Sequence, residues 1–244
     1  MVQRPFRLAI LECDHSLDPD GSLYGGYGGL IRSWLQRHEA FSGSNVECTI
    51  WDVETAQTYP APGTFDAVVI TGSPTSVNDP FDWVRKLEQF MQGIVGDEKT
   101  KSVGLCFGHQ LIAKALGAPV GCRGSALETS ETSIALSDTG KDLFKKDKIT
   151  LNMMHADNVL SVPQGTANIG STEYCSIQGL YAPTKLLTIQ AHPEFDRTTM
   201  QNVIKVMADH GELDEKARID AVARNVGGTD ADLVLNAIAE FLLG

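Results

Sequence analysis

With 244 residues, 42% of them hydrophobic and 21% charged, the chain is composed like an ordinary soluble globular protein and is long enough to bury the core of one α/β domain, or at most two small ones. Its 31 acidic against 20 basic residues give a net charge of -11, and the one lysine-rich stretch, 141–148, is interrupted by Asp142 and Asp147, which argues against nucleic acid or an anionic membrane as partner. Five cysteines at 13, 48, 106, 122 and 175, an odd number with no CxxC pair, suggest neither a disulfide framework nor a zinc ribbon. A reducing cytosol is the expected compartment, with nothing to exclude the nucleus. The apolar run 8–11 is too short for a signal-peptide core, and no apolar stretch approaches a membrane span.

In chain order the pattern predicts a strand at 6–11, a helix at 28–41, a strand at 46–53, a buried strand at 65–71, a helix at 82–95, a strand at 102–106 and a helix at 110–116. This alternation argues for an α/β fold with a mostly parallel central sheet and helices on both faces. From 118 to 191 the texture changes to short β-like runs, among them 149–153, 167–170 and 186–191, which read as a small antiparallel or mixed extension of the same sheet. Helices are expected at 197–210, 214–226 and 230–243. Thr229 and Asp232 have capping-box spacing, and Leu233, Val234, Ala237, Ile238, Phe241 and Leu242 form one apolar face, read as core packing. The segment 21–29 is rich in glycine but lacks the spacing of a phosphate loop, and is expected as a flexible loop over the active-site face.

The most informative stretch is 101–110, an apolar run ending on Cys106 and followed at once by a helix-forming segment. Gly104-x-Cys106-x-Gly108 has the pattern of a nucleophile elbow, in which glycines let the backbone turn tightly and lift the reactive atom clear of the sheet. A thiol at such a bend also meets the positive end of a helix dipole, which favours thiolate. An isolated cysteine is more often a small apolar filler, but a filler has no need of this turn.

A cysteine nucleophile needs an imidazole and a group to orient it. Of six histidines, His15, His38 and His210 lie in polar or helical-surface contexts, and His109 stands at a helix start that directs it away from a base's approach. His155-Ala-Asp157 and His192-Pro-Glu194 remain: each follows an apolar strand and carries a carboxylate two residues on. Spacing does not choose between them, although Pro193 ends its strand and leaves His192 on a fixed corner.

Taken together, Gly104 to Gln110, Ala191 to Glu194 and Thr71-Gly72-Ser73-Pro-x-Ser76-Val77 resemble the class I, triad-type glutamine amidotransferase family. The resemblance covers about 6–196, with 197–244 as C-terminal helices of one domain, and implies a flavodoxin-like fold. It implies Cys106 as nucleophile, His192 as base and Glu194 as orienting carboxylate. It further implies that the Gly72 and Phe107 N–H groups form the oxyanion hole, and that Ser73 and Gln110 help hold the γ-glutamyl part of a substrate. The His155-Ala-Asp157 segment resembles the family's second His-x-Asp motif, outside the triad.

The implied reaction is hydrolysis of a γ-glutamyl amide through a glutamyl thioester, for which no metal or organic cofactor is needed. The chain resembles the stand-alone branch of the family, which includes plant γ-glutamyl peptidases and fungal amidotransferase-like proteins. Cleavage of γ-glutamyl peptides such as glutathione or its conjugates is therefore the leading expectation. A glutaminase subunit passing ammonia to a separate synthase is the alternative, a homodimer is another association open to it, and a non-catalytic binding protein is the third reading.

Overall fold

The computed structural model describes residues 4–16, 23–43, 45–97, 99–122 and 127–244. Its first half runs β1 (Phe6–Glu12), α1 (Tyr27–Leu35), α2 (Glu39–Ser42), β2 (Val46–Asp52), β3 (Ala67–Ile70), α3 (Asp82–Gly96), β4 (Lys101–Leu105) and α4 (Phe107–Ala115). There follow β5 (Val120–Cys122), β6 (Glu128–Leu136), α5 (Asp138–Phe144), β7 (Lys148–His155), β8 (Asp157–Val159), β9 (Ala167–Asn168), β10 (Gly170–Ser171), β11 (Gly179–Ala182) and β12 (Leu186–Ile189). Helices α6 (Arg197–Asp209), α7 (Glu215–Arg224) and α8 (Ala231–Leu243) close the chain.

The central sheet has the order β2-β1-β3-β4-β12-β11-β9. Strands β2, β1, β3, β4 and β12 are parallel, while β11 and β9 add antiparallel. Alternation along each strand supplies two cores. Leu8 and Ile10 join Ile31, Trp34 and Leu35 of α1 and Val234 and Ile238 of α8 on one face; Ala9 and Leu11 join Leu87 and Met91 of α3 and Leu111 and Ile112 of α4 on the other. With both faces covered, all four residues of β3 are buried, as expected of a parallel strand. The chain leaves β1 toward β2 and returns to β3 on its other side, so the crevice between the ends of β1 and β3 is a topological switch point, where open sheets of this kind bind their ligands.

Four expectations are corrected. The helix expected at 28–41 is two: α1 ends in the turn at 36–38, and His38 starts α2 by accepting the Ala40 N–H on Nδ1 at 3.2 Å. The 118–191 segment only partly extends the main sheet, because β6, β7 and β10 form a three-stranded sheet of their own and β5 and β8 a two-stranded one. Strand β6 and helix α5 were not anticipated. Glu128, Thr129, Ser130 and Glu131 of β6 are buried but polar and hide the strand pattern, with Glu131 accepting the Gly227 and Gly228 N–H groups and the Ser130 hydroxyl donating to Ala221 O. Finally, no capping box forms at α8. Asp230 is the N-cap residue, and its carboxylate instead accepts Thr150 N–H and the Lys146 ammonium. The apolar face of α8 is core, with Leu233 only half-buried. Among the described residues, no helix is long and apolar enough to cross a membrane. Residues 21 and 22 of the glycine-rich segment lie outside the described residues.

Candidate active site

Cys106 occupies the corner between β4 and α4 with φ 49° and ψ -102°, a left-handed setting rare for a residue with a side chain. The corner is this tight because a Cβ on Gly104 would lie 2.5 Å from the Gly108 carbonyl, and one on Gly108 2.5 Å from Ile70 O. The Cys106 N–H donates to Ile189 O of neighbouring β12 at 2.9 Å, and its carbonyl accepts the Gln110 N–H at 3.1 Å, which ties the bend to both the sheet and the helix. Phe107 opens α4, so its N–H has no acceptor within the helix.

His192 follows the end of β12, beside β4, which brings its imidazole close enough to the Cys106 sulfur for the two to interact electrostatically. Nδ1 lies 2.8 Å from Glu194 Oε1, the ring stacks on Phe195 at 4.3 Å, and the backbone N–H donates to Asn152 O at 2.8 Å. Asn152 also donates from Nδ2 to Phe195 O at 2.9 Å and so braces both ends of the turn. Cys106, His192 and Glu194 are all at least 94% buried. Burial alone pulls the imidazole toward its neutral form; the Cys106 sulfur and the Glu194 carboxylate outweigh it and raise the pKa to about 10. At Cys13, at the end of β1, burial pushes the thiol far up, as for a structural cysteine.

The His155 ring is turned elsewhere, although the Met154 carbonyl just before it lies 3.6 Å from the Cys106 sulfur. Nε2 faces Glu128 Oε2 at 2.9 Å and Nδ1 faces Asp157 O at 3.1 Å, so both ring nitrogens are taken. Burial would raise the Glu128 carboxyl, but His155, Thr172 and Gln178 bond it and hold it below its usual range. Burial also drives His109 down to about 3, and its Nδ1 meets Thr188 Oγ1 at 2.8 Å inside the core.

Gly72 follows β3, so its N–H and that of Phe107 stand at adjoining strand ends. A Cβ at Gly72 would lie 2.8 Å from His192 Cε1 and 2.7 Å from Tyr27 Oη. Thr71 holds this loop by accepting the Cys13 N–H and donating to Gly72 O. Ser73 is half-buried and accepts the Thr75 N–H at 3.2 Å. The amide of Gln110 is engaged within the protein, its Nε2 bonding Asp157 O at 2.9 Å and Gln190 Oε1 at 3.1 Å.

Two site residues escaped the sequence reading. Gln190 places Nε2 3.6 Å from the Cys106 sulfur. Tyr27, at the start of α1, donates its hydroxyl to Glu194 Oε1 at 2.6 Å. Gln190 sits two residues before His192, a position that could have drawn notice; Tyr27 had only the glycines around it.

The model of the class I glutamine amidotransferase family matches residues 31–207. A protein of Schizosaccharomyces pombe named as glutamine amidotransferase-like is 33% identical over 98% of this chain and 99% of its own. γ-Glutamyl peptidase 2 of Arabidopsis thaliana is 25% identical over 89% of each chain. The crystal structure of a glutamine amidotransferase from Thermotoga maritima superposes with a TM-score of 0.78 over 99% of this chain and 100% of that one, at 16% identity, and so agrees in fold. With a mostly parallel sheet that carries Cys106 on a strand–helix corner, and with the family model matching most of its length, this chain belongs to the class I glutamine amidotransferases.

Proposed function

We propose that this chain is a cysteine hydrolase that cleaves the γ-glutamyl amide bond of γ-glutamyl peptides or glutamine. The observation that carries the reading is the buried His192–Glu194 pair, Nδ1 to Oε1 at 2.8 Å, set at the end of the strand that neighbours the Cys106 corner. The similarity to a γ-glutamyl peptidase over 89% of the chain supports a peptide-type leaving group.

In this reading the Cys106 thiolate attacks the γ-carbonyl carbon; the S–C bond forms as the carbonyl electron pair moves onto oxygen. The Gly72 and Phe107 N–H groups stabilise that oxyanion, each contributing on the order of 3 kcal/mol. On collapse the C–N bond breaks and the His192 imidazolium gives its proton to the departing nitrogen. Water then attacks the thioester, His192 takes its proton, and glutamate and the thiolate are released. Glu194 keeps the imidazole in the tautomer and orientation that both steps need. Ser73 and Gln110 shape the wall that receives the glutamyl moiety, Gln110 through its hold on Gln190. Helices α6 to α8 are part of the same domain, a reading supported by Ile204, Ala221 and Ile238 joining the core of β1 and β4.

The test is glutamate release from glutathione and, separately, from glutamine, against a Cys106→Ala control. Cysteine-dependent turnover of glutathione with little from glutamine supports the peptidase. Turnover of glutamine alone points to an ammonia donor with a synthase partner. No release from either, nor from larger γ-glutamyl conjugates, sinks the hydrolase reading.

A further inference from the structure

The glycine-rich segment before α1 has no part in the mechanism above, yet it delivers a phenol to the charge system. Gly25 and Gly26 adopt φ of 80° and 92°, the left-handed region where glycine costs least. A Cβ at Gly26 would stand 2.5 Å from Glu12 Oε1, and one at Gly29 1.9 Å from Tyr24 O. Glu12, buried at the end of β1, accepts the Gly28 N–H at 2.7 Å and so fixes the positive end of α1. The Tyr27 side chain between these anchors is 98% buried. Its hydroxyl lies 2.6 Å from Glu194 Oε1 and 3.2 Å from His192 Nδ1.

The geometry of Glu194 makes this contact decisive. Both of its donors, Tyr27 and His192, bond the same oxygen, Oε1. Oε2 is buried with no hydrogen-bond partner among the described residues. Without Tyr27 the carboxylate is held by the imidazole alone among the described residues, and no other side chain there selects which oxygen faces it. We infer that Tyr27 is a positioning residue, a fourth member of the charge system that locks Glu194 and through it aims His192 at the Cys106 sulfur.

The phenol stays a donor because burial and the Glu194 charge both raise its pKa well above the usual value. The charged or titratable groups that face it are Glu194, His192, Cys106 and, from the end of β1, Asp14. A hydrogen bond from the phenol spreads the Glu194 charge and weakens its hold on the imidazolium proton. Its loss should therefore raise the His192 pKa, and a more acidic phenol should lower it.

The inference rests on the hydrolase reading for its rate consequence only, and its test is read without substrate. The His192 imidazole is titrated by NMR in protein labelled with ¹⁵N-histidine, in wild type and in Tyr27→Phe, with His192→Ala giving the assignment. Tyr27→Phe keeps the ring beside Phe195 and removes only the hydroxyl. As a version with native shape, 3-fluorotyrosine is incorporated at all five tyrosines, with Tyr27→Phe carrying the same label as control. We expect the midpoint to move up in Tyr27→Phe and down in the fluorinated protein, the latter shift vanishing in the labelled Tyr27→Phe. Where a γ-glutamyl substrate turns over, kcat should fall about 10- to 100-fold with KM within about twofold. Midpoints unchanged in both proteins, or a loss of rate matched by a loss of folded protein with no movement of the midpoint, overturn the role of Tyr27. If no substrate turns over while the midpoints move as stated, the hydrolase reading fails and the coupling of Tyr27 to the dyad stands.

Discussion

Gly104 and Gly108 touch through their backbones, so that a Cβ on Gly104 would meet the Gly108 carbonyl carbon and oxygen at 2.5 Å and the His109 nitrogen at 2.8 Å. The neighbour is main chain and cannot swing away, so helix α4 itself would have to shift. Gly104→Ala should cost about 2–3 kcal/mol, an overpacking penalty, and lower Tm by roughly 4–12 °C. Thermal unfolding followed by circular dichroism checks this; a Tm within a degree of wild type would show that the elbow tolerates the methyl.

Gly72→Ala places its methyl between the Tyr27 hydroxyl and His192 Cε1, at 2.7 and 2.8 Å. Both neighbours belong to the charge system, so the damage falls on geometry more than on folding. Turnover should drop roughly 100-fold, as expected for a misplacement of about 1 Å, with Tm nearly preserved. Steady-state kinetics beside a melting curve separate the two effects.

Glu194→Gln removes the negative charge that supports the His192 imidazolium. The imidazole pKa, about 10 with Glu194 present, then falls because the downward pull of burial is less opposed. If turnover needs the imidazolium beside the thiolate, the alkaline limb of kcat/KM moves to lower pH, and the rate at the optimum falls by roughly 10²–10⁴. A pH–rate profile from 5 to about 10.5 decides it, and an alkaline limb that stays in place would contradict the assignment of that limb to His192.

Gln190 directs Nε2 at the sulfur from 3.6 Å while its carbonyl accepts from Gln110 Nε2. An amide donor stabilises a thiolate, an apolar group is indifferent, and a carboxylate opposes it. The rate of Cys106 alkylation by iodoacetamide at pH 7 should therefore rank wild type above Gln190→Leu above Gln190→Glu, with roughly tenfold lost at the first step. Equal rates for wild type and the Leu variant would show that the amide does not act on sulfur.

Far from the site, Asp66 accepts both Arg4 and Arg7 guanidinium groups and the Arg7 N–H, and the guanidinium of Arg4 above all holds its carboxyl well below the usual range. A carboxyl depressed in the folded state contributes stability above its unfolded pKa of about 3.9 and loses it as pH falls from there. Arg4 is 65% exposed, so solvent screening keeps the contribution small. Asp66→Asn should thus be less stable than wild type near pH 7, by a gap that is narrower at about pH 3. Urea titrations at the two pH values test the sign.

The parallel half of the fold was readable because burial on both faces writes continuous apolar runs, as in 67–70 and 103–106, bounded by glycine and polar turns. The elbow was readable for a similar reason: a strand, a left-handed corner and a helix start are local events, and Gly104 and Gly108 mark them within five residues. Strand β6 was not, because Glu128 and Glu131 are buried against partners 27 and 96 residues away, and partner choice leaves no local pattern. The residues 101–110 by themselves determined a cysteine on a tight strand–helix corner. That His192 and not His155 turns to its sulfur was decided by packing: β12 lies beside β4, while β7 meets the sulfur with the Met154 carbonyl and Glu128 takes the His155 ring. Tyr27 reaches Glu194 across 167 positions of sequence, and only the packing of α1 against β1, whose Glu12 holds its first turn, brings a phenol there.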